Sequence, residues 1–193
     1  PKSAKGVTTR DYPTMDGSRA AEVYFENVSV GADALVGAAD GALDLIERLV
    51  DEANAAYCHE AVGCMRMMTS STQEYAKTRK QFGRAIADFQ VLQHRMVDMF
   101  MNTEESVSMA LLATLKLDAG DVERAKAVSG AKVSIGRAGR FIGQNAVQIH
   151  GGMGVTDEMR VGHYFKRVTM LDATYGNVDY HLKRFTALSA KAA

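Results

Sequence analysis

Arg79-Lys80-Gln81-Phe82-Gly83 and Gly151-Gly152-Met153-Gly154 are the two runs in this sequence whose residue types and spacing could do chemistry. The first sets cations beside a glycine at the end of a helical pattern. Positive charge complements a helix C-terminus and glycine stops the helix, so the run needs no ligand to explain it. The glycine cluster follows a helix rather than a strand, which removes the dinucleotide-fingerprint reading and leaves a left-handed helix cap. Walker A, HExxH and GxSxG patterns are absent. His59, His94, His150, His163 and His181 have no spacing that makes a dyad, and each reads as a surface or core residue. Asp51 and Glu52 read as solvated carboxylates on an exposed helix face. Cys58 and Cys64 fall inside a helical pattern, which argues against a disulfide framework or a metal site and for a reducing cytoplasm.

Elements must position these residues, and composition bounds what those elements are. The 193 residues carry 23 Lys+Arg against 23 Asp+Glu, and a net charge of zero excludes a general nucleic-acid binder. No apolar run reaches the about 18 residues of a membrane span, and no signal peptide is visible. The sequence opens on Pro1 rather than Met, which reads as a trimmed start. With 47% hydrophobic residues, two prolines and no Trp, the chain reads as soluble, cytoplasmic and mostly helical.

Val7–Tyr12 and Ala21–Phe25 are rich in β-branched and aromatic residues and flank Asp16-Gly17, a tight-turn signal, so they read as a hairpin. A lone hairpin is marginal in water, and these strands are expected to belong to a larger sheet. From about residue 38 the period is helical. Ala42, Leu45, Leu49, Ala53, Tyr57, Ala61, Cys64 and Met68 mark a first helix running to about Arg79. Phe89, Leu92, Met96, Met99, Val107, Leu111 and Leu115 mark a second. Val128, Ala131, Ile135, Ala138, Ile142 and Ile149 mark a third, from Asp121 to Gly151. Shorter helices follow through Tyr164–Leu171 and from Asn177 through Leu188. The expected fold is all-α: an antiparallel up-and-down helical bundle over 38–193, preceded over 1–37 by a short β-hairpin remnant. Met65, Met67, Met68, Met96, Met99 and Met101 exceed what one bundle core needs, about half of them serving an oligomer surface.

Three stretches in order carry a family resemblance. Arg79–Ile86 with Phe89-Gln90-Val91-Leu92-Gln93 resembles the segment joining two bundle helices in acyl-CoA dehydrogenases. Gln148-Ile149-His150-Gly151-Gly152-Met153-Gly154-Val155-Thr156 resembles a second signature of that family, and Ala20–Gly37 looks like the exit from its central β domain. The ending Tyr175-Gly176-Asn177-Val178-Asp179-Tyr180-His181-Leu182 is similar to small subunits of two-subunit, pimeloyl-CoA-type dehydrogenases.

The resemblance implies an FAD-dependent oxidoreductase of fatty acid metabolism that desaturates an acyl-CoA thioester between its α and β carbons. It would pass electrons to an electron-transfer flavoprotein or similar acceptor, and would work as a homo- or hetero-oligomer, a dimer or tetramer. About half of the family's usual polypeptide would lie outside this sequence. By the same resemblance Arg79 holds pyrophosphate oxygens, flanked by Gln81 and Phe82. Gln90 reaches the adenosine, Gln148, Gly151 and Gly152 let the cofactor approach backbone, and Asn177 adds a contact. Asp179 matches a further contact position, but an anion there would repel a diphosphate.

The sequence departs from the family at the catalytic base. Most members place a Glu before a Gly after the fourth helix; here that pair is Tyr175-Gly176. A minority place a Glu-Arg pair on the first helix; here it is Ala53-Asn54. Asn54 and Gly176 are then expected to line the substrate, and Tyr175 to occupy the base position. A phenol with an ordinary pKa of about 10 makes a poor resting base, so Tyr175 is expected to wall the cleft. The rival reading is a non-catalytic subunit that completes a partner's flavin site.

Overall fold

Alternating β-branched and aromatic residues on either side of Asp16-Gly17 make the chain's first element pair. In the computed structural model, which describes residues 1–190, strand β1 (Val7–Pro13) pairs antiparallel with β2 (Arg19–Phe25), in a register running from Val7 opposite Phe25 to Pro13 opposite Arg19. Gly17 takes φ 82°, which the turn demands and a Cβ would oppose, while the Asp16 carboxylate accepts from the Ser18 amide at 3.2 Å. Residues Pro1–Arg48 form one unit, and the residues from Leu49 onward form another. Within the first unit Tyr12, Val23, Tyr24 and Phe25 are exposed, as two strands alone cannot bury both faces.

The second unit is helical. Helix α1 (Ala42–Thr78) crosses the boundary between the units and is 37 residues long, about 55 Å at the usual rise. It is followed by a two-residue pair of short strands, β3 (Lys80–Gln81) and β4 (Arg84–Ala85), then α2 (Gln90–Leu115) and α3 (Asp121–His150). Helices α4 (Arg160–Ala173) and α5 (Val178–Ala190) complete an all-α, up-and-down bundle. Helix α3 is central, packed against α2, α4 and α5. Its stripe of Val128, Ala131, Ile135, Ala138 and Ile142 is buried, as the sequence period predicts. Gly139 and Gly143 let α4 approach, since a Cβ at either would overlap Val168 or Phe165.

On α1 the buried stripe differs from the one drawn through apolar residues. Leu45 and Leu49 are exposed, whereas Asp51, Asn54, Ala55, Cys58, Ala61, Val62, Met65 and Met68 face inward. The reading of Asp51 as a solvated carboxylate is therefore wrong. It is fully buried because Arg124 from α3 and Arg184 from α5 both reach it. The methionines divide: Met65, Met68 and Met99 fill the core, Met96 packs against it, and Met67 and Met101 are 41% and 61% exposed. No helix among the described residues is long and apolar enough to cross a membrane.

Candidate functional site

Arg79 to Ala85 folds back on itself rather than simply ending a helix. Gln81 pairs with Arg84, and Phe82 and Gly83 close the loop with φ of 55° and 80°. Positive φ at both central positions is the type I′ geometry that matches strand twist, and it is uncommon for a residue as bulky as Phe. The turn leaves the Phe82 ring 91% exposed, edge-on to Phe89 at 6.1 Å. The Arg84 guanidinium lies over the Phe89 ring at 4.2 Å.

This hairpin faces the end of α3 across an open cleft of about 820 Å³, which brings Arg79, Gln81 and Phe82 together with Gln148, Gly151 and Gly152. Tyr75 and His150 also line it; their rings stack at 4.4 Å, and the Tyr75 hydroxyl donates to the His150 carbonyl at 3.4 Å. His150 Nδ1 lies 2.8 Å from the Ala146 carbonyl, leaving the buried Nε2 without a partner among the described residues. Gly151 caps α3 with φ 61°, donating its N–H to the Gln148 carbonyl, so this glycine has a structural reason. Gly152 does not need positive φ. A Cβ there would meet no protein atom within 4 Å, so its open face is available to something outside the chain.

The other predicted residues lie elsewhere. Gln90 opens α2, is exposed, and does not line the cleft. Asn177 caps α5, its Oδ1 accepting from the Tyr180 amide at 3.0 Å, and with Asp179 it borders a separate cleft of about 380 Å³ beside Arg137, Arg140 and Gln144.

Around the expected base position the chain is closed. Tyr175 adopts φ 52°, with its ring half exposed and stacked on Tyr57 at 5.9 Å. Gly176 follows at φ 105°, where a Cβ would overlap Tyr180. Asn54 is fully buried, and its Nδ2 donates to the Tyr175 carbonyl at 3.4 Å, so its amide turns into the bundle. His181 is also fully buried, with Nε2 3.1 Å from the same carbonyl. Burial pushes its pKa down to about 4, against the opposing hydrogen bond to Tyr175. Burial likewise lowers that of Lys132, which caps the end of α4, and pushes the Cys58 thiol up to about 12, out of reach as a nucleophile at neutral pH. Asp51 is held by two guanidiniums. Sequence reasoning missed Tyr75, Lys132 and the role of Asn54, because polar residues at buried helix positions signal only through partners far along the chain.

The interhelix hairpin and the glycine-rich end of α3 thus form one cationic, glycine-floored cleft on a helical bundle. Residues 40–187 match the family described as acyl-CoA dehydrogenase, C-terminal domain, and the chain belongs to that family. It is 31% identical over 180 residues to the acyl-CoA dehydrogenase IpdE2 of Mycolicibacterium smegmatis, covering 93% of this chain and 52% of that one. The fold is also that of the ChsE4–ChsE5 complex from Mycobacterium tuberculosis, with a TM-score of 0.88 and 24% identity over 98% of this chain and 50% of that one. It matches PigA, solved with FAD and proline, with a TM-score of 0.90 and 22% identity over 100% of this chain and 51% of that one. The chain spans about half the length of each of these.

Proposed function

We propose that this chain is the C-terminal, FAD-binding and oligomerisation part of an acyl-CoA dehydrogenase that desaturates an acyl-CoA thioester. Residues 1–37 would be the end of a central β domain, and 38–193 the bundle. The observation that carries the reading is the single cleft shared by Arg79, Gln81, Phe82, Gln148, Gly151 and Gly152, drawn from two segments about 70 residues apart. Those residues fit a dinucleotide. Arg79 offers a multi-donor cationic fork for a diphosphate, Phe82 an exposed apolar plate, Gln148 a polar edge, and Gly152 a face without a side chain. Asn177, beside Arg137 and Arg140, would serve a second cofactor contact, with Gln90 a weaker one. FAD, when bound, takes the hydride that leaves the β-carbon. Electrons would then pass to an electron-transfer flavoprotein or a similar acceptor.

The α-proton has to be taken by a base. A base must present an ionised oxygen or a basic nitrogen. Tyr175 presents a phenol, Asp51 is neutralised by two arginines, and His181 has its ring committed inside the bundle. This favours the second reading, in which a carboxylate from a partner subunit or another part of the polypeptide takes the proton and this chain completes the flavin site. Such assembly would be cytoplasmic.

The test is the full-length protein, purified alone and with candidate partner chains. It should carry a yellow flavin that bleaches on adding acyl-CoA, and Tyr175→Phe should keep its rate within a few-fold. A loss of about 10²–10⁴-fold, the span of a positioned acid–base group, would make Tyr175 the base. A colourless, substrate-inert protein with every partner would end the flavoenzyme reading.

A further inference from the structure

The turn carrying residue 175 is hydrogen-bonded to the bundle through its backbone carbonyls. Lys132 Nζ, on α3, donates to the carbonyls of Leu171, Asp172 and Thr174 at 2.7, 3.2 and 3.0 Å. Asn54 on α1 and His181 on α5 converge on the next carbonyl, that of Tyr175, at 3.4 and 3.1 Å. All three side chains are buried. An ammonium has three donors and no acceptor, which suits the last carbonyls of α4, left without helical partners.

We propose that Lys132, Asn54 and His181 are positioning residues, a clamp from three helices on the carbonyls of residues 171–175 that fixes where the side chain at 175 is presented to the acyl-CoA path. The path itself rests on the function proposed above; the clamp does not.

Proton placement supports these roles. Were the Asn54 amide reversed, Oδ1 would face the Tyr175 oxygen and set two acceptors against each other, so Nδ2 takes that side although Oδ1 is left without a partner among the described residues. Arg184 donates to the Ser129 oxygen at 3.3 Å, which leaves the Ser129 hydroxyl free to donate to His181 Nδ1, also at 3.3 Å. His181 Nε2 then carries the proton that meets the Tyr175 carbonyl. Tyr175 sits at φ 52°, a conformation that persists in a non-glycine residue only where its surroundings over-determine it. Because the hydrogen bonds of the clamp end on backbone carbonyls, they can form whichever side chain stands at 175.

The sequence permits a direct readout. Tyr175-Gly176 is the one Tyr-Gly pair and Thr174-Tyr175 the one Thr-Tyr pair in the 193 residues. Labelling the full chain with carbonyl-¹³C tyrosine and ¹⁵N glycine therefore gives a single carbonyl–amide NMR peak for Tyr175, and threonine–tyrosine labelling gives one for Thr174. His181→Leu and Asn54→Leu should each move the Tyr175 carbonyl upfield, His181→Gln should restore it, and Lys132→Met should move Thr174. Peaks unmoved in the folded leucine and methionine variants overturn the clamp. Where those variants do not fold, ¹⁵N spectra of the wild-type His181 ring decide: a proton on Nε2 is expected, and a proton on Nδ1 overturns it.

In the flavin-loaded assembly, His181→Leu should slow bleaching by acyl-CoA about tenfold and His181→Gln should restore it. Equal rates across variants whose carbonyl peaks differ would overturn the positioning role. A wild-type protein that never bleaches would instead fail the proposed function and leave the NMR result standing.

Discussion

Asp51 and Arg184 meet twice inside the bundle, Nη1 to Oδ1 at 2.6 Å and Nη2 to Oδ2 at 3.2 Å. The same carboxylate accepts from Arg124 Nε at 3.3 Å. The Arg124 and Arg184 side chains are 6% and 17% exposed, and Arg124 also pairs with Asp121 at 2.6 Å. Helices α1, α3 and α5 are joined at this point by charge rather than by apolar contact.

Asp51→Ala should therefore cost more than an ordinary polar substitution. Removing the carboxylate that two largely buried arginines share costs about 3–5 kcal/mol, even with Arg124 keeping its pair to Asp121. For a domain of this size that lowers Tm by about 6–20 °C, at 2–4 °C per kcal/mol. Thermal unfolding followed by circular dichroism measures it, and a drop under 2 °C would sink the idea.

His181 gives stability a pH dependence of known sign. Burial holds its folded pKa near 4, against 6.5 when unfolded. Between those values the unfolded chain binds a proton that the folded chain refuses, so stability present above pH 6.5 is lost as pH falls towards 4. At 1.36 kcal/mol per unit the loss is at most about 3 kcal/mol. Urea unfolding at pH 7 and pH 4.5 should show it in wild type and much less in His181→Gln. Equal losses in both proteins would assign the dependence to other groups.

Two glycine substitutions should have opposite signs. At Gly139 a new Cβ would overlap Val168 where α3 meets α4, and Gly139→Ala should cost about 1–3 kcal/mol through overpacking. Gly63 lies exposed within α1 with nothing within 4 Å of its missing Cβ, and Gly63→Ala should stabilise by about 0.5–1 kcal/mol. Paired melting curves test both, and a stabilised Gly139→Ala would contradict the packing between the two helices.

The cleft residues should separate binding from folding. A side chain at Gly152 meets no protein atom, so Gly152→Val should leave Tm within about 2 °C while lowering FAD affinity at least tenfold. Arg79→Gln should weaken FAD by about 10–100-fold, the worth of one charge-assisted contact at 1.5–3 kcal/mol. Flavin fluorescence titration of the assembled protein reads both. Unchanged affinity in both variants would remove the cofactor from this cleft.

By itself the sequence determined the helices and their breaks. The α3 stripe from Val128 to Ile142 and the glycines at 120, 151 and 152 act over one or two turns, so period and backbone freedom reveal them. Family motifs pointed to Arg79, Gln81, Phe82, Gln148, Gly151 and Gly152, which share one cleft, and to Gln90 and Asn177, which do not line it; local turn chemistry revealed the hairpin at Asp16-Gly17. Tertiary structure alone decided which face of α1 is inside. An apolar count puts Leu45 and Leu49 in the buried stripe and leaves out Asp51 and Asn54. The structure buries the latter pair because Arg124, Arg184 and the Tyr175 carbonyl lie there. It also decided that Phe82-Gly83 closes a strand turn instead of merely ending a helix, and that Lys132, Asn54 and His181 share one stretch of backbone. Burial of a polar group is favourable only when its partner is present. Those partners stand 73 to 133 residues away for Asp51, a relation that no local pattern of residue types encodes.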